Sequence, residues 1–122
     1  MKTLTLHLER KWFELIKAGE KKEEYRAQST YWIKRLTNCE QNFLDFIWDS
    51  VCVFPNPTER FNMELENWLE QFDRLRFVLG YAKSNDAERI LEFKNPKIRI
   101  GTGRPEWGAI PGVNYFVITW EK

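Results

Sequence analysis

Three residues of complementary charge lie within one short segment, GEKKEEYR at positions 19–26: Lys21, Glu24 and Arg26. If their charged groups met in a partly dry pocket, Arg26 would hold Glu24 in place. Desolvation and the guanidinium would then lower the pKa of Lys21 toward that of a useful base or nucleophile, while a close Glu24 would oppose this shift. In that case the three residues would form the centre of a charged cleft.

The geometry of a strand limits how the three groups can meet. Glu24 and Arg26 are two positions apart and share one face of a regular strand, whereas Lys21 would point to the other face. A turn or bulge after Gly19 would be needed to bring all three together. The alternative is a solvated strand edge with an ordinary Glu24–Arg26 ion pair, and such surface pairs are common and weak.

A second set of residues could bind nucleic acid. Basic side chains on two predicted strands and a nearby loop could form a phosphate track, and aromatic side chains could stack on an unpaired base. The candidates are Arg74, Arg76, Lys94, Lys97, Arg99, Arg104, Tyr25, Tyr81 and Trp107. The alternative is that the strand arginines are ordinary solvent-facing residues. Large aromatics pack more often than they bind, so we expect Trp107 to plug the bottom of the fold rather than to cover its mouth.

The hydrophobic pattern indicates which elements position these residues at the N-terminal end. Residues 3–8 alternate between apolar and polar, which is typical of a half-buried strand. The apolar residues of ERKWFELIKAG then follow helical spacing, and Gly19 supplies a left-handed helix end. A second short helix is predicted over STYWIKRL, with Ser29 or Thr30 as its N-cap.

The middle of the chain, residues 38–71, differs in charge from both flanking parts. Residues 38–70 carry one basic and seven acidic residues, a net charge of −6, whereas the flanking parts carry +4 and +3. Two helical patterns occur here, separated by Pro55 and Pro57. Their apolar residues are Phe43, Phe46 and Ile47 in the first, and Leu65, Trp68, Leu69 and Phe72 in the second. We interpret the segment as an acidic helical insertion.

Strand patterns return in the C-terminal part. DRLRFVLG alternates apolar and basic residues, and RILEFK and KIRIG flank Pro96, which marks a bend or an edge. GTGRPEWGAIPG is predicted to be a long shaped loop, and YFVITW a central strand that is buried on both faces. Irregular connections and few helices do not fit a doubly wound sheet. We expect an α+β fold, a small mixed β-barrel flanked by short helices.

GEKKEEYR resembles the G-x-K-x-x-E-x-R signature of ASCH domains, with Gly19, Lys21, Glu24 and Arg26 in the defining places. Four further blocks are similar to phage-like and bacterial ASCH proteins, namely KWFELIKAG, YWIKRL, FDRLRFVLGY and IRIGTGRPEWGAIPGVNYFVI. The resemblance covers roughly residues 3–37 and 72–120 and leaves the insertion unexplained. It implies a single PUA-like β-barrel domain, residues 1–122, with a cleft and an RNA-linked role.

Three functions are weighed on this basis. The first is binding of RNA or a nucleotide through the cleft. The second is hydrolysis of RNA or of a modified nucleoside such as N(4)-acetylcytidine, with Lys21 as base or nucleophile, Glu24 as proton shuttle and Arg26 orienting it. The amidohydrolase branch of the family is expected to carry threonine where this chain has Glu24. The third is binding of a protein partner through the acidic insertion.

Composition restricts the remaining classes. A chain of 122 residues with 43% hydrophobic residues is long enough to fold as one domain with a real core. Cys39 and Cys52 lack zinc-site spacing, and His7, the single histidine, is expected in the core or the cleft wall. No stretch reaches the roughly 20 apolar residues of a membrane span. We expect a cytoplasmic protein without cofactor, metal or membrane partner.

Overall fold

The computed structural model describes residues 2–38, 57–80 and 87–121, which contain one five-stranded sheet and short helices. The strands are β1 (Thr3–Leu8), β2 (Glu24–Arg26), β3 (Arg74–Leu79), β4 (Ile90–Thr102) and β5 (Asn114–Glu121). The α-helices are α1 (Arg10–Lys17), α2 (Thr30–Leu36) and α3 (Pro57–Glu66). Two 3-10 turns span Ala87–Arg89 and Pro105–Trp107. The predicted α+β class and mixed sheet are confirmed.

The strands follow the order β1-β3-β4-β5-β2. β1 runs parallel to β3, and all other neighbours are antiparallel. In the described residues β1 and β2 form the two edges, and the sheet is not closed into the expected barrel. β2 pairs with β5 over only three residues, Glu24 to Arg26, so it offers little backbone for pairing with β1 on its other side.

One face of the sheet packs against the helices and forms the core. The alternation predicted for residues 3–8 is confirmed, because the three leucines of β1 are buried and the intervening residues are not. Each described helix contributes apolar side chains to the same cluster. Its buried members are Leu4, Leu6, Leu8, Phe13, Ile16, Ile33, Leu36, Leu65, Leu75, Phe77, Leu79, Phe116 and Ile118.

The helix ends follow local sequence signals. Gly19 adopts φ 81°, as expected for the residue that stops α1, and the Ser29 hydroxyl accepts a hydrogen bond from Trp32 N at 3.4 Å at the start of α2. α3 begins at Pro57, whose fixed φ suits the first turn. The predicted N-terminal helices are therefore confirmed.

The helical pattern predicted around residues 65–72 is wrong beyond its first residue. α3 ends at Glu66, and the chain then forms an isolated bridge between Leu69 and Thr37. Leu69 and Phe72 still pack against the core, but from extended chain. The apolar spacing correctly indicates that Leu69 and Phe72 are packed against the core, but the segment that carries them is a short loop and not a helix.

β4 is a single long strand with an irregularity at its centre. Its pairing register with β5 shifts between Lys94 and Lys97, and Asn95 adopts φ 49°. The predicted bend at Pro96 is thus a local bulge within one strand. β5 lies between β4 and β2, and Phe116, Val117 and Ile118 are all buried, which confirms a central strand.

Some predictions concern residues outside the described ranges. They include Tyr81, both cysteines, the first helical pattern of the acidic segment and most of the proposed insertion. Among the helices that are described, none has the length and apolar character to cross a membrane.

Candidate functional site

The turn after α1 directs Lys21 into the protein. The backbone N–H groups of Glu20 and Lys21 both donate to the carbonyl oxygen of Leu15, at 2.9 and 3.0 Å, and Gly19 adopts the left-handed conformation that this reversal requires. The chain folds back on the end of α1, and Lys21 is only 2% exposed. This is the turn without which the three charged groups could not meet.

The structure brings the ammonium, the carboxylate and the guanidinium together. Lys21 Nζ lies 3.0 Å from Glu24 Oε1, and Arg26 Nη2 lies 2.8 Å from Glu24 Oε2. Tyr25 N also donates to Glu24 Oε1 at 3.1 Å. The side chains of Lys21, Glu24 and Arg26 are 1%, 7% and 19% exposed, so this is not a solvated surface pair. We call these three residues the charged triad.

Burial lowers the pKa of Lys21 from its usual value of 10.5. The charge and hydrogen bond of Glu24 oppose this effect, and the nearby positive charge of Arg26 adds to it. The Trp12 ring covers the ammonium on another side, with its centroid 4.2 Å from Nζ. Lys21 therefore loses its proton more easily than an exposed lysine.

A pocket of about 270 Å³ lies beside the charged triad, in the gap between the two edges of the sheet. One wall comes from β1 and the start of α1, and the other comes from β2 and the loop before β5. Its lining combines four aromatic rings with charged and polar groups: His7, Leu8, Glu9, Trp12, Lys21, Glu24, Tyr25, Arg26, Trp107, Gly108 and Tyr115. Aromatic walls and a few convergent polar groups are typical of a small-molecule site.

Arg26 connects the two edge strands. Its Nη2 donates to the carbonyl oxygen of His7 in β1 at 3.0 Å as well as to Glu24, and its guanidinium lies 4.9 Å from the centre of the Trp32 ring. Its Nε is buried and has no hydrogen-bond acceptor among the residues that the structure describes.

Tyr25 anchors the loop that follows β4. Its hydroxyl donates to Glu23 Oε1 at 2.8 Å and accepts from Arg104 N at 2.9 Å, and its ring faces Tyr115 at 5.8 Å. Burial, as the largest cause, raises the pKa of Tyr25 to about 12. The hydroxyl is thus committed to the protein, while the residue still lines the pocket.

The predicted basic residues of β3 and β4 lie on the face opposite the core. Arg74 pairs with Lys94 across the two strands, and the bulge leaves Lys97 on the same face as Lys94. Arg99 follows two residues later and forms an ion pair with Glu23 at 3.1 Å. This basic face, defined as Arg74, Arg76, Lys94, Lys97 and Arg99, reaches the pocket through Glu23 and Tyr25.

Arg104 and Trp107 lie on the loop at the pocket. The Arg104 guanidinium lies 4.9 Å from the Trp107 ring centre and 3.6 Å from the Glu106 carboxylate. Trp107 lines the pocket, which differs from the expected plug at the bottom of a barrel. Arg104 and Trp107 are three residues apart at a short 3-10 turn, so their side chains lie on the same side and stack. The sequence pattern did not indicate this contact.

Sequence reasoning missed Trp12, Tyr115 and Glu23. Trp12 is one of the apolar residues at helical spacing and was given no role at a site, yet its ring covers Lys21. The signal that could have identified it is its position nine residues before a lysine that must turn inward. His7 does lie in the cleft wall, where its Nδ1 donates to Gly80 O at 2.6 Å.

Comparison of the chain with protein-family models, with curated proteins and with solved structures found no match. Across the described ranges, His, Cys, Asp and Glu form no group of three that could hold a metal ion. The side chains of the site supply hydrogen-bond donors, a lysine of lowered pKa and aromatic surfaces.

Proposed function

We propose that this chain is an RNA-binding protein of the ASCH type that takes one unpaired base or nucleoside into the pocket beside Lys21. One observation carries the proposal: a buried ammonium lies at the edge of an aromatic-walled pocket of about 270 Å³. Pockets for drug-sized ligands run from about 300 to 1,000 Å³, so this pocket has the size for a single base or nucleoside.

The lining offers both kinds of contact that a base needs. Trp12, Trp107 and Tyr115 present ring surfaces, and stacking of a base on an aromatic side chain contributes about 1 to 3 kcal/mol. Lys21 and Arg26 line the pocket and are donors for a carbonyl or phosphate oxygen. Hydrogen bonds to charged donors contribute about 1.5 to 3 kcal/mol each.

The basic face favours RNA over a free nucleoside. Lys97 and Arg99 lie two residues apart on one face of a strand, about 6.8 Å along it, and Arg74 and Lys94 extend the row. The Arg99 side chain is 52% exposed despite its contact with Glu23. An RNA strand whose phosphates follow this row toward Tyr25 reaches the pocket. A base of the same RNA strand can therefore enter the pocket while the neighbouring phosphates are bound by the basic face.

We also propose that the sheet is a PUA-like barrel whose seam lies between β1 and β2. The seam is crossed by the Arg26 side chain instead of a ladder of backbone hydrogen bonds. A seam of this kind leaves room for the pocket at the place where the strands do not pair.

RNA binding is tested by fluorescence anisotropy with a labelled, mixed-sequence single-stranded RNA of about eight nucleotides. Lys21→Met is compared with Lys22→Met, which removes the same charge from an exposed neighbour. We expect a 10- to 100-fold loss of affinity for Lys21→Met, since about 1.4 kcal/mol corresponds to tenfold, and less than twofold for Lys22→Met.

The phosphate track has its own control. Lys97→Gln is expected to reduce the dependence of log affinity on log salt by about 0.7, the value for one phosphate contact to a single strand, whereas Lys17→Gln on α1 leaves it unchanged. RNA that does not bind, or that binds equally to the Lys21 and Lys22 variants, contradicts the proposal.

A second candidate is hydrolysis, which the lowered pKa of Lys21 favours. In this case water adds across the amide bond of a substrate such as N(4)-acetylcytidine, and cytidine and acetate are released. Lys21 would act as base or nucleophile, with Glu24 as proton shuttle. Acetate release by the parent protein, abolished in Lys21→Met and retained in Lys22→Met, would select this function over simple binding. The alternative of a protein partner depends on the acidic segment, most of which lies outside the described residues.

A further inference from the structure

The edge of β1 on the side away from β3 carries carbonyl groups that take no part in the pairing with that strand. The carbonyls of Lys2 and Leu8 accept hydrogen bonds from residues at the two ends of β3, so even-numbered carbonyls face that strand. The odd-numbered carbonyls of Thr5 and His7 therefore face the opposite side. An edge of this kind must be covered by other groups.

Two arginines bind these two carbonyls. Arg26 Nη2 donates to His7 O at 3.0 Å, and Arg35 Nη2 donates to Thr5 O at 2.8 Å. Both guanidinium groups lie against the same indole ring, that of Trp32, at 4.9 and 5.6 Å from its centroid. Arg35 is fixed further by its Nη1, which donates to Tyr31 Oη at 2.8 Å.

We propose that Trp32 and Arg35 are positioning residues for the charged triad: together with Arg26 they form a clasp that holds the β1 edge against β2 and fixes the Glu24 carboxylate at the pocket. Arg26 belongs to both assemblies, because its Nη2 also donates to Glu24 Oε2 at 2.8 Å. A shift of the indole ring therefore moves the guanidinium, and the guanidinium moves the carboxylate. Neither Trp32 nor Arg35 lines the pocket. Their relevance to ligand binding rests on the function proposed above, but the clasp itself does not.

The clasp is tested first without RNA. The pKa of Lys21 is followed by NMR of its side chain in the parent protein and in Arg35→Gln, Arg35→Lys and Trp32→Leu. Lys34→Gln is the control, since it removes a neighbouring exposed charge of α2 that is not part of the clasp. Lys21 is contacted by Glu24, and the other titratable side chains at the pocket are Arg26 and Tyr25 from β2, Tyr115 from β5, and His7 and Glu9 from the opposite wall.

Loss of the clasp is expected to lower the pKa of Lys21 further, because the Glu24 carboxylate, whose charge and hydrogen bond raise this pKa, is no longer held beside the ammonium. Arg35→Lys should behave like Arg35→Gln, since a lysine ammonium lacks the planar guanidinium that donates to Thr5 O and Tyr31 Oη at the same time. RNA affinity is expected to fall by 5- to 10-fold in the same variants. Arg35 is exposed, so its variants keep the protein folded even if Trp32→Leu does not.

A Lys21 titration that is unchanged in folded Arg35→Gln and Arg35→Lys overturns the inference. The same shift in Lys34→Gln overturns it as well, because a change of net charge would then be sufficient. If RNA does not bind to any form but the titration moves as expected, the proposed function fails and the clasp stands.

Discussion

Replacing Glu24 by glutamine removes one charge from the centre of the charged triad and keeps the shape of the side chain. The carboxylate is 7% exposed and accepts hydrogen bonds from Lys21, Arg26 and Tyr25 N. Glutamine has one acceptor oxygen, and its NH₂ group would face a cationic donor. At least one buried cation thus loses its counter-charge, and breaking a buried pair in this way costs about 3 to 5 kcal/mol.

Lys21→Met is the matched change on the other partner, and we expect it to cost no more than about 1 kcal/mol. Glu24 keeps Arg26 and Tyr25 N as donors, while methionine fills the apolar space under Trp12. The two single variants are therefore predicted to differ strongly. In the double variant Lys21→Met/Glu24→Gln the uncompensated ammonium is gone. Its loss of unfolding free energy should therefore be at least about 2 kcal/mol smaller than the sum of the losses in the two single variants.

Thermal unfolding and urea titration measure these differences. For a chain of this length 1 kcal/mol shifts Tm by about 3 to 5 °C, so Glu24→Gln should unfold about 10 to 20 °C lower than the parent protein. Equal losses for the two single variants, with additive effects in the double, would refute the claim that the ammonium and carboxylate form a buried, interdependent pair.

The pH dependence has a definite sign. The folded pKa of Lys21 lies below its unfolded value, so the unfolded chain binds more protons in that window and stability rises with pH up to about 10.5. Glu24→Gln removes the charge of Glu24, which raises the pKa of Lys21, so the folded pKa falls further. The pH range over which stability rises then extends to lower pH. Part of its stability loss should therefore return on raising the pH. Measurements below about pH 9.5 avoid the titration of tyrosine.

Three further substitutions probe the loop at the pocket and the tyrosine that anchors it. Gly103→Ala would place a methyl group 2.8 Å from Ala109 Cβ and still closer to the Tyr25 ring, so we expect a loss of about 1 to 3 kcal/mol in urea unfolding together with weaker RNA binding. Gly112→Ala in the same loop meets no atom within 4 Å and should cost about 1 kcal/mol, through its φ of +80° alone, with unchanged RNA binding. Tyr25→Phe loses hydrogen bonds to Glu23 and Arg104 N, for about 1 to 2 kcal/mol at neutral pH. Because burial raises the pKa of Tyr25 to about 12, the parent protein should lose stability between about pH 10 and 12, and this loss should be smaller in Tyr25→Phe; an identical alkaline profile would contradict it.

Local patterns predicted several elements well because their causes are local. The alternation of residues 3–8, the glycine stop at Gly19 and the Ser29 cap each depend on neighbours in sequence, and the structure confirms them. The central position of β5 followed from an apolar run that needs burial on both faces. These features required no knowledge of the rest of the chain.

Contacts between distant segments were less accessible. The sequence does not reveal that Tyr115 and Trp12 meet at one pocket, since α1 and β5 are about a hundred residues apart. The strand order, and the absence of pairing between β1 and β2 in the described residues, depend on register and on the short length of β2, neither of which a periodic pattern specifies. The helix expected through residues 65–72 was wrong for a related reason, because apolar spacing fixes burial but not backbone conformation.

Stability alone does not account for the buried ammonium. Replacing a buried ion pair by well-packed apolar side chains is often neutral or stabilising, so a methionine at position 21 would serve the fold about as well as the lysine. The cost of desolvating Lys21 is incurred beside a pocket and not in the centre of the apolar core. A costly buried ammonium at the edge of a cavity gains when an oxygen-bearing ligand enters that cavity, and this gain is the physical reason to regard the pocket as a binding site.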